Sequence, residues 1–227
     1  MTGAERFKPE SRNEATPARD VVEWVRERIR LGRFVPGQRL IEADITRDTG
    51  ASRGKVREAL QRLETEGLVL IEEFRGASVR RMTFEEVRQI YRTRMALEGL
   101  AAAEFAIRGT EQQKAELSRI QEELNQQEHL GDHERFARLN SAWHSAIIEG
   151  AGNDYVRRFL ARLTVPIYQI LFSTFYSSQR IDAANADHRR ITAAIMEGRV
   201  EDAERAMRHH IEEGLNALSE ISSHFDT

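Results

Sequence analysis

Two groups of residues in this 227-residue chain have types and spacings suited to chemistry. The first is the run Ser52-Arg53-Gly54-Lys55-Val56-Arg57. Arg53 and Arg57 stand four residues apart, so on a helix they share one face. A guanidinium fork matches O6 and N7 of guanine in the major groove, or grips a phosphate. Lys55 adds a cation beside them. The second group is histidine. All seven lie beyond residue 128. His144 follows Asn140 by four, which sets both on one helix face. His188 and His210 belong to two later helices. Three imidazoles and one oxygen donor from three helices can converge inside a bundle as a site for a divalent metal. Imidazole with an amide oxygen suits zinc or nickel, with manganese also possible. His209 must face about 100° away from its neighbour His210 on an ideal helix. It is read, with His129, His133 and His224, as a surface residue.

Arg94 is a third candidate. Val87, Ile90, Leu97 and Ala101 share its helical stripe, so it points inward, where a guanidinium needs a counter-charge. Two readings stay open: a helix pair with Glu98 at i+4, and a clamp that takes a small carboxylate bidentately. Tyr91, Trp143, Tyr168 and Tyr176 are candidates to line such a pocket. Aromatic residues at helical spacing are also the ordinary bulk of cores.

The elements that must position these residues are legible from punctuation and period. A first helix is expected from about Arg19 to Leu31, with Val21, Val22, Val25 and Ile29 as its buried stripe and Gly32 and Pro36 ending it. A short helix over Ile41–Thr49 leads through Gly50 to a helix capped by Ser52, whose hydroxyl can accept from a first-turn amide. Val56, Ala59, Leu60 and Leu63 give that helix a buried back. Together they form a helix-turn-helix with the second helix as reader. After Gly67, the runs Leu68–Phe74 and Ala77–Arg80 read as two strands around Arg75-Gly76, a basic-tipped hairpin or wing. Thr83 and Glu86 then form a capping box. From there to the C-terminus only helical patterns follow. They run over about Phe84–Arg108, from Thr110 to near Gly131, from Asp132 to about Gly150, and from Asn153 onward with a break at Pro166. Two more cover about Ala183–Glu197 and Val200–Ser223. Six or seven helices with short links make an antiparallel bundle.

Composition is compatible with this. Hydrophobic residues are 40% and charged residues 31%, which suits a soluble helical protein. The net charge of −3 is unevenly spread: residues 1–80 carry 16 Lys and Arg against 14 Asp and Glu, the rest 18 against 23. The basic excess therefore lies on the side of the helix-turn-helix. With no cysteine there is no disulfide framework and no thiolate zinc site, as expected in a reducing cytoplasm. No apolar run approaches the roughly 18 residues that span a bilayer, so no membrane role is expected. Residues 1–17 are polar and read as a mobile arm.

Residues 18–81 resemble the winged helix-turn-helix of the GntR family of bacterial transcription regulators. The resemblance rests on Pro36-Gly37-Gln38-Arg39-Leu40, on Ser52-Arg53 with Val56-Arg57-Glu58-Ala59-Leu60, and on Leu63 with Glu66-Gly67-Leu68. The family commonly has Thr-Pro where this chain has Gly54-Lys55, a departure that bears on operator preference. Residues from about Phe84 to Phe225 resemble the FCD effector domain of the FadR subfamily. Its markers here are Ile90-Tyr91-Arg92-Thr93-Arg94-Met95-Ala96-Leu97-Glu98, Trp143-His144, Gly152-Asn153, Asp187-His188 and His210-Ile211. In that family an Asp and three His often hold a metal, and the matching positions are Asn140, His144, His188 and His210. The amide of Asn140 is a neutral ligand where a carboxylate is usual, so the site is one unit more positive.

The resemblance implies a mainly helical protein: an arm over 1–17, a DNA-binding domain over 18–81 and an effector-binding, dimerising domain over 82–227. It implies a homodimer on a palindromic double-stranded DNA operator, with Ser52, Arg53, Lys55, Arg57, Arg75 and Gly76 at the DNA. It also implies a small organic acid as effector, near Arg94, Tyr91 and Trp143. Two rival readings remain. One is a regulator that senses the metal itself. The other is a metal-dependent hydrolase, since a divalent ion with an open position activates water; no diagnostic general-base motif supports it.

Overall fold

Helix caps and apolar spacing decide where each element begins. The computed structural model describes residues 18–30, 32–128, 130, 132–164 and 178–220. The expected arm, Pro166, Tyr168, Tyr176, His129 and His224 lie outside the described residues.

The N-terminal part runs α1 (Ala18–Arg30), β1 (Arg39–Leu40), α2 (Glu42–Thr49), α3 (Arg53–Thr65), β2 (Val69–Glu72) and β3 (Gly76–Val79). Gly50 ends α2 in the left-handed region (φ 71°), with its N–H on the Thr46 carbonyl, a conformation glycine adopts at little cost. That turn allows α3 to restart at once, with the Ser52 Oγ accepting from the Lys55 amide at 3.4 Å. Val56, Ala59, Leu60 and Leu63 on α3 meet Val21, Val22, Val25 and Ile29 on α1 in one buried cluster. Each large aliphatic buried there contributes about 1.5–3 kcal/mol.

The hairpin pairs antiparallel from Val69↔Val79 to Glu72↔Gly76. A third strand, β1, was not anticipated. It pairs with β3 through Arg39↔Ser78 and Leu40↔Ala77, giving the order β1-β3-β2. Two residues are too few to show an alternating pattern, but Leu40 is buried and joins the same core.

The C-terminal part is helical throughout its described residues: α4 (Phe84–Arg108), α5 (Glu111–Gln127), α6 (His133–Gly150), α7 (Asp154–Thr164), α8 (Ser178–Met196) and α9 (Val200–Glu220). Thr83 with Glu86 and Thr110 with Gln113 form full capping boxes. Asp132 accepts from the Arg135 amide at 2.9 Å, and Asn153 from the Val156 amide at 3.2 Å. A second cluster, built on Phe105, Leu117, Phe136, Trp143, Ile147 and Ile191, fills the bundle.

Helix α9 lies along α4, and two glycines permit the close approach. A Cβ at Gly99 would fall 2.8 Å from Arg208 Cγ, and one at Gly214 would fall 3.2 Å from Tyr91 Cε1. Helix α8 starts at Ser178, about a turn before the expected Ala183, which brings Arg180 into the bundle. Among the described residues no helix is long and apolar enough to cross a membrane.

Candidate metal centre and DNA-contact surface

His144 comes from α6, His188 from α8 and His210 from α9. The packing of three helices brings them together, with one ligating nitrogen from each ring within 4.8 Å of the others. His188 is fully buried and His210 nearly so. The Trp143 ring lies against His188, with centroids 4.3 Å apart. Its indole N–H donates to Thr192 Oγ1 at 3.0 Å, one turn along α8 from His188. Trp143 is thus a wall behind the imidazole, with its one polar atom already used. Thr192 in turn donates to Gln121 Oε1 at 3.3 Å, and Gln121 Nε2 donates to Asn185 Oδ1 at 2.9 Å.

The donor set fits a divalent ion. His188 Nε2 and His210 Nε2 are 3.3 Å apart. Two nitrogens held at about 2.0–2.1 Å by a tetrahedral ion would be separated by about 3.3–3.4 Å. Protonation agrees. Burial, then the neighbouring His210 and His144, push His188 well below the usual imidazole range. Burial also lowers His210, to about 4, although Asp187 pulls the other way. Both rings are therefore neutral at neutral pH, and neutral imidazole is the form that donates a lone pair to a metal. Asn140, one turn before His144 on α6, is half-buried. His209 lies on the outer face of α9, beside Arg205 and Arg208 in a shallow groove, and His133 is exposed, as their sequence positions require.

Two of the three outer nitrogens face a carboxylate, only that of His144 at hydrogen-bond distance, which spacing did not reveal. His144 Nδ1 lies 2.7 Å from Glu98 Oε2, and His210 Nδ1 lies 3.6 Å from Asp187 Oδ2. His188 Nδ1 is buried with no hydrogen-bond partner among the described residues. Glu98 also accepts from Arg94 Nε at 2.6 Å, so the i+4 helix pair is present. Burial alone would push the Glu98 carboxyl up; Arg94 and His144 outweigh it and bring it down to about 2. Tyr91 is buried, with the Arg94 guanidinium carbon 5.1 Å from its ring centre. Arg180 is a further cation here: its Nη2 flanks Gly214 together with the Tyr91 ring. It was missed because the expected helix began three residues after it.

The basic face of the first part is solvent-facing. Arg53 opens α3 and is exposed. Lys55 pairs with Glu58 at 3.0 Å. Arg57 is not isolated: its Nε donates to both oxygens of Glu42 on α2, each at 2.9 Å. That pair crosses the helix-turn-helix, a contact fifteen residues long that no i+4 rule reports. Gly76 starts β3 at φ 81°. Arg75 pairs with Glu72 at 3.3 Å, and its carbonyl accepts from Arg39 Nη2 at 2.5 Å. Phe74 forms the wing tip, 98% exposed and left-handed at φ 63°.

Comparison with known proteins follows the same division. The model of bacterial regulatory proteins of the gntR family matches residues 17–79, and the FCD domain model matches residues 89–213. The HTH-type transcriptional regulator YdhC of Bacillus subtilis is 26% identical over 191 residues, 84% of this chain and 85% of that protein. The HTH-type transcriptional repressor GlaR of Escherichia coli is 25% identical over 200 residues, 85% of this chain and 91% of that protein. Among solved structures, E. coli McbR/YncC shares the fold with a TM-score of 0.74 at 22% identity, covering 94% of this chain and 100% of that one.

Proposed function

The chain belongs to the gntR family of bacterial regulatory proteins, with an FCD domain; from that premise we propose a homodimeric regulator on a palindromic operator, controlled by a small carboxylate metabolite bound beside a divalent metal. It is a transcription regulator and not an enzyme, so the metal serves binding rather than hydrolysis. The observation that carries the reading is the convergence of His144, His188 and His210, with Arg94 one carboxylate away. Asn140 completes the ligand set, and zinc or nickel is the favoured ion, ahead of manganese. The bound ion supplies positive charge and a position for an anionic oxygen. Arg94 supplies a fork for a carboxylate, Tyr91 a wall, and Arg180 further positive charge. Trp143 acts by holding His188 in place.

Dimerisation is supported by exposed apolar residues on two helices that pack together. Leu100 and Ile107 lie on α4, Tyr155 and Phe159 on α7, each at least 42% exposed. We assign a second copy of the chain as their partner. A two-fold dimer presents two α3 helices and two wings to a palindrome. Work on DNA then places the protein in the cytoplasm.

The test is operator affinity, titrated with zinc, nickel or manganese, with and without a panel of short organic acids. An effector must bind the DNA-competent and incompetent states unequally. We expect an acid to shift operator affinity by about 5–150-fold, and only when metal is present. A full response to metal alone would favour the metal-sensing alternative.

Arg57→Ala is expected to weaken operator binding by about 1–3 kcal/mol if Arg57 makes a bidentate base contact. Glu42 holds the Arg57 side chain and so limits its freedom before DNA binds. Binding isotherms at fixed salt, on operator and on random DNA, check this. Equal losses on both would indicate a phosphate contact, and no loss on either would remove Arg57 from the interface.

A further inference from the structure

Glu98 touches two functional candidates at once. Its Oε1 accepts from Arg94 Nε at 2.6 Å, and its Oε2 lies 2.7 Å from His144 Nδ1. The side chains of Glu98, Arg94 and His144 are 3%, 9% and 12% exposed, so water competes little for these bonds. We propose that Glu98 is a positioning residue: it holds His144 as the Nδ1–H tautomer, turns the Nε2 lone pair toward His188 and His210, and ties the Arg94 site to the metal site through one carboxylate. This rests on the metal reading above.

The logic is one of donors and acceptors. An ionised carboxylate only accepts, so a singly protonated ring at His144 must carry its proton on Nδ1 to bond it. Nε2 is then the nitrogen with the lone pair. Imidazoles that bind metals commonly donate their other N–H to a carboxylate, which fixes the ring and raises its basicity. Arg94 only donates. It claims the second oxygen, so both faces of Glu98 are committed to donors. A carboxylate meets this requirement and an amide does not. In Glu98→Gln the amide oxygen goes to Arg94, leaving the NH2 for His144 Nδ1. His144 must then carry its proton on Nε2, where the metal would bind. A ligand carboxylate that drew Arg94 away would leave more of the Glu98 charge to His144. Effector and metal would then reinforce each other, reciprocally.

The experiment reads tautomer and metal affinity separately. Protein labelled with 15N-histidine, metal-free at pH 8, is expected to show His144 protonated on Nδ1. Glu98→Gln is expected to move that proton to Nε2 and to lower affinity for zinc alone by about 10–100-fold. Arg94→Met in the Glu98→Gln background frees the amide to turn its oxygen to His144. The double variant is therefore expected to regain the Nδ1–H form and zinc affinity relative to Glu98→Gln. If Glu98→Gln does not fold, the wild-type tautomer and the double variant decide. An Nε2–H His144 in the wild type, or unchanged tautomer and affinity in Glu98→Gln, would overturn the proposal. Failure of the wild type to bind zinc, with the tautomer switching as described, would sink the metal reading and leave the positioning role standing.

Discussion

His188→Ala, His210→Ala and His144→Ala are each expected to strip the purified protein of the proposed divalent ion. A four-ligand structural zinc site binds with about 10–16 kcal/mol, so one ligand is worth about 3–4 kcal/mol, or roughly 100–1000-fold in affinity. The burial of His188 and His210 sharpens this, since water cannot easily replace the lost nitrogen. His209→Ala is the control, because that ring lies on the outer face of α9. Asn140→Asp is expected to tighten the ion by adding a negative oxygen, and to weaken an anionic effector by the same change. Elemental analysis after dialysis, beside zinc titration of each variant, reads these outcomes. About one ion per wild-type chain and near-zero occupancy in the three alanine variants is the expected pattern. Full occupancy in all three would mean that the ion sits elsewhere.

A chain ending at Arg81 is expected to fold, to sediment as a monomer and to bind the operator about 10²–10⁴-fold more weakly than the full chain. It should fold because α1, α3 and the three strands enclose their own buried cluster, from Val21 to Val79. It should be monomeric because the exposed apolar residues of α4 and α7 are gone. Two readers held together engage the second half-site at a high effective concentration, and a lone reader loses that gain without losing a contact. Sedimentation and operator isotherms on both chains test it. Undiminished affinity from a dimeric truncated chain would move the dimer contact into the first 81 residues.

Local features carried most of the fold in the sequence. Ser52, Thr83, Thr110, Asp132 and Asn153 each accept the amide that their cap position implies. Capping works within one turn, so residue type and a spacing of three are enough to see it. Apolar residues at helical spacing marked the buried faces of α1 and α3 for the same reason: the period of a helix is a local property. Two elements escaped. Strand β1 has two residues and exists because β3 offers it a partner. The first turn of α8 offers a single apolar residue, Ile181, too few to show a helical period, so Arg180 lay outside the expected helix.

The chemistry divides along the same line. Residue types and i+4 spacings by themselves determined the basic front of α3, the pairing of Asn140 with His144 on one face, the inward direction of Arg94, and the outward direction of His209. Each is a statement about one helix. Only the tertiary structure decided that Glu42 holds Arg57, that Glu98 joins Arg94 to His144, that Asp187 stands behind His210, and that Trp143 spends its N–H on Thr192. Apart from the Arg94–Glu98 pair, which spacing offered as one of two readings, these contacts either join separate elements or depend on where such elements come to rest. A donor and an acceptor on different helices carry no mark of each other in the chain; their distance is set by how the helices pack.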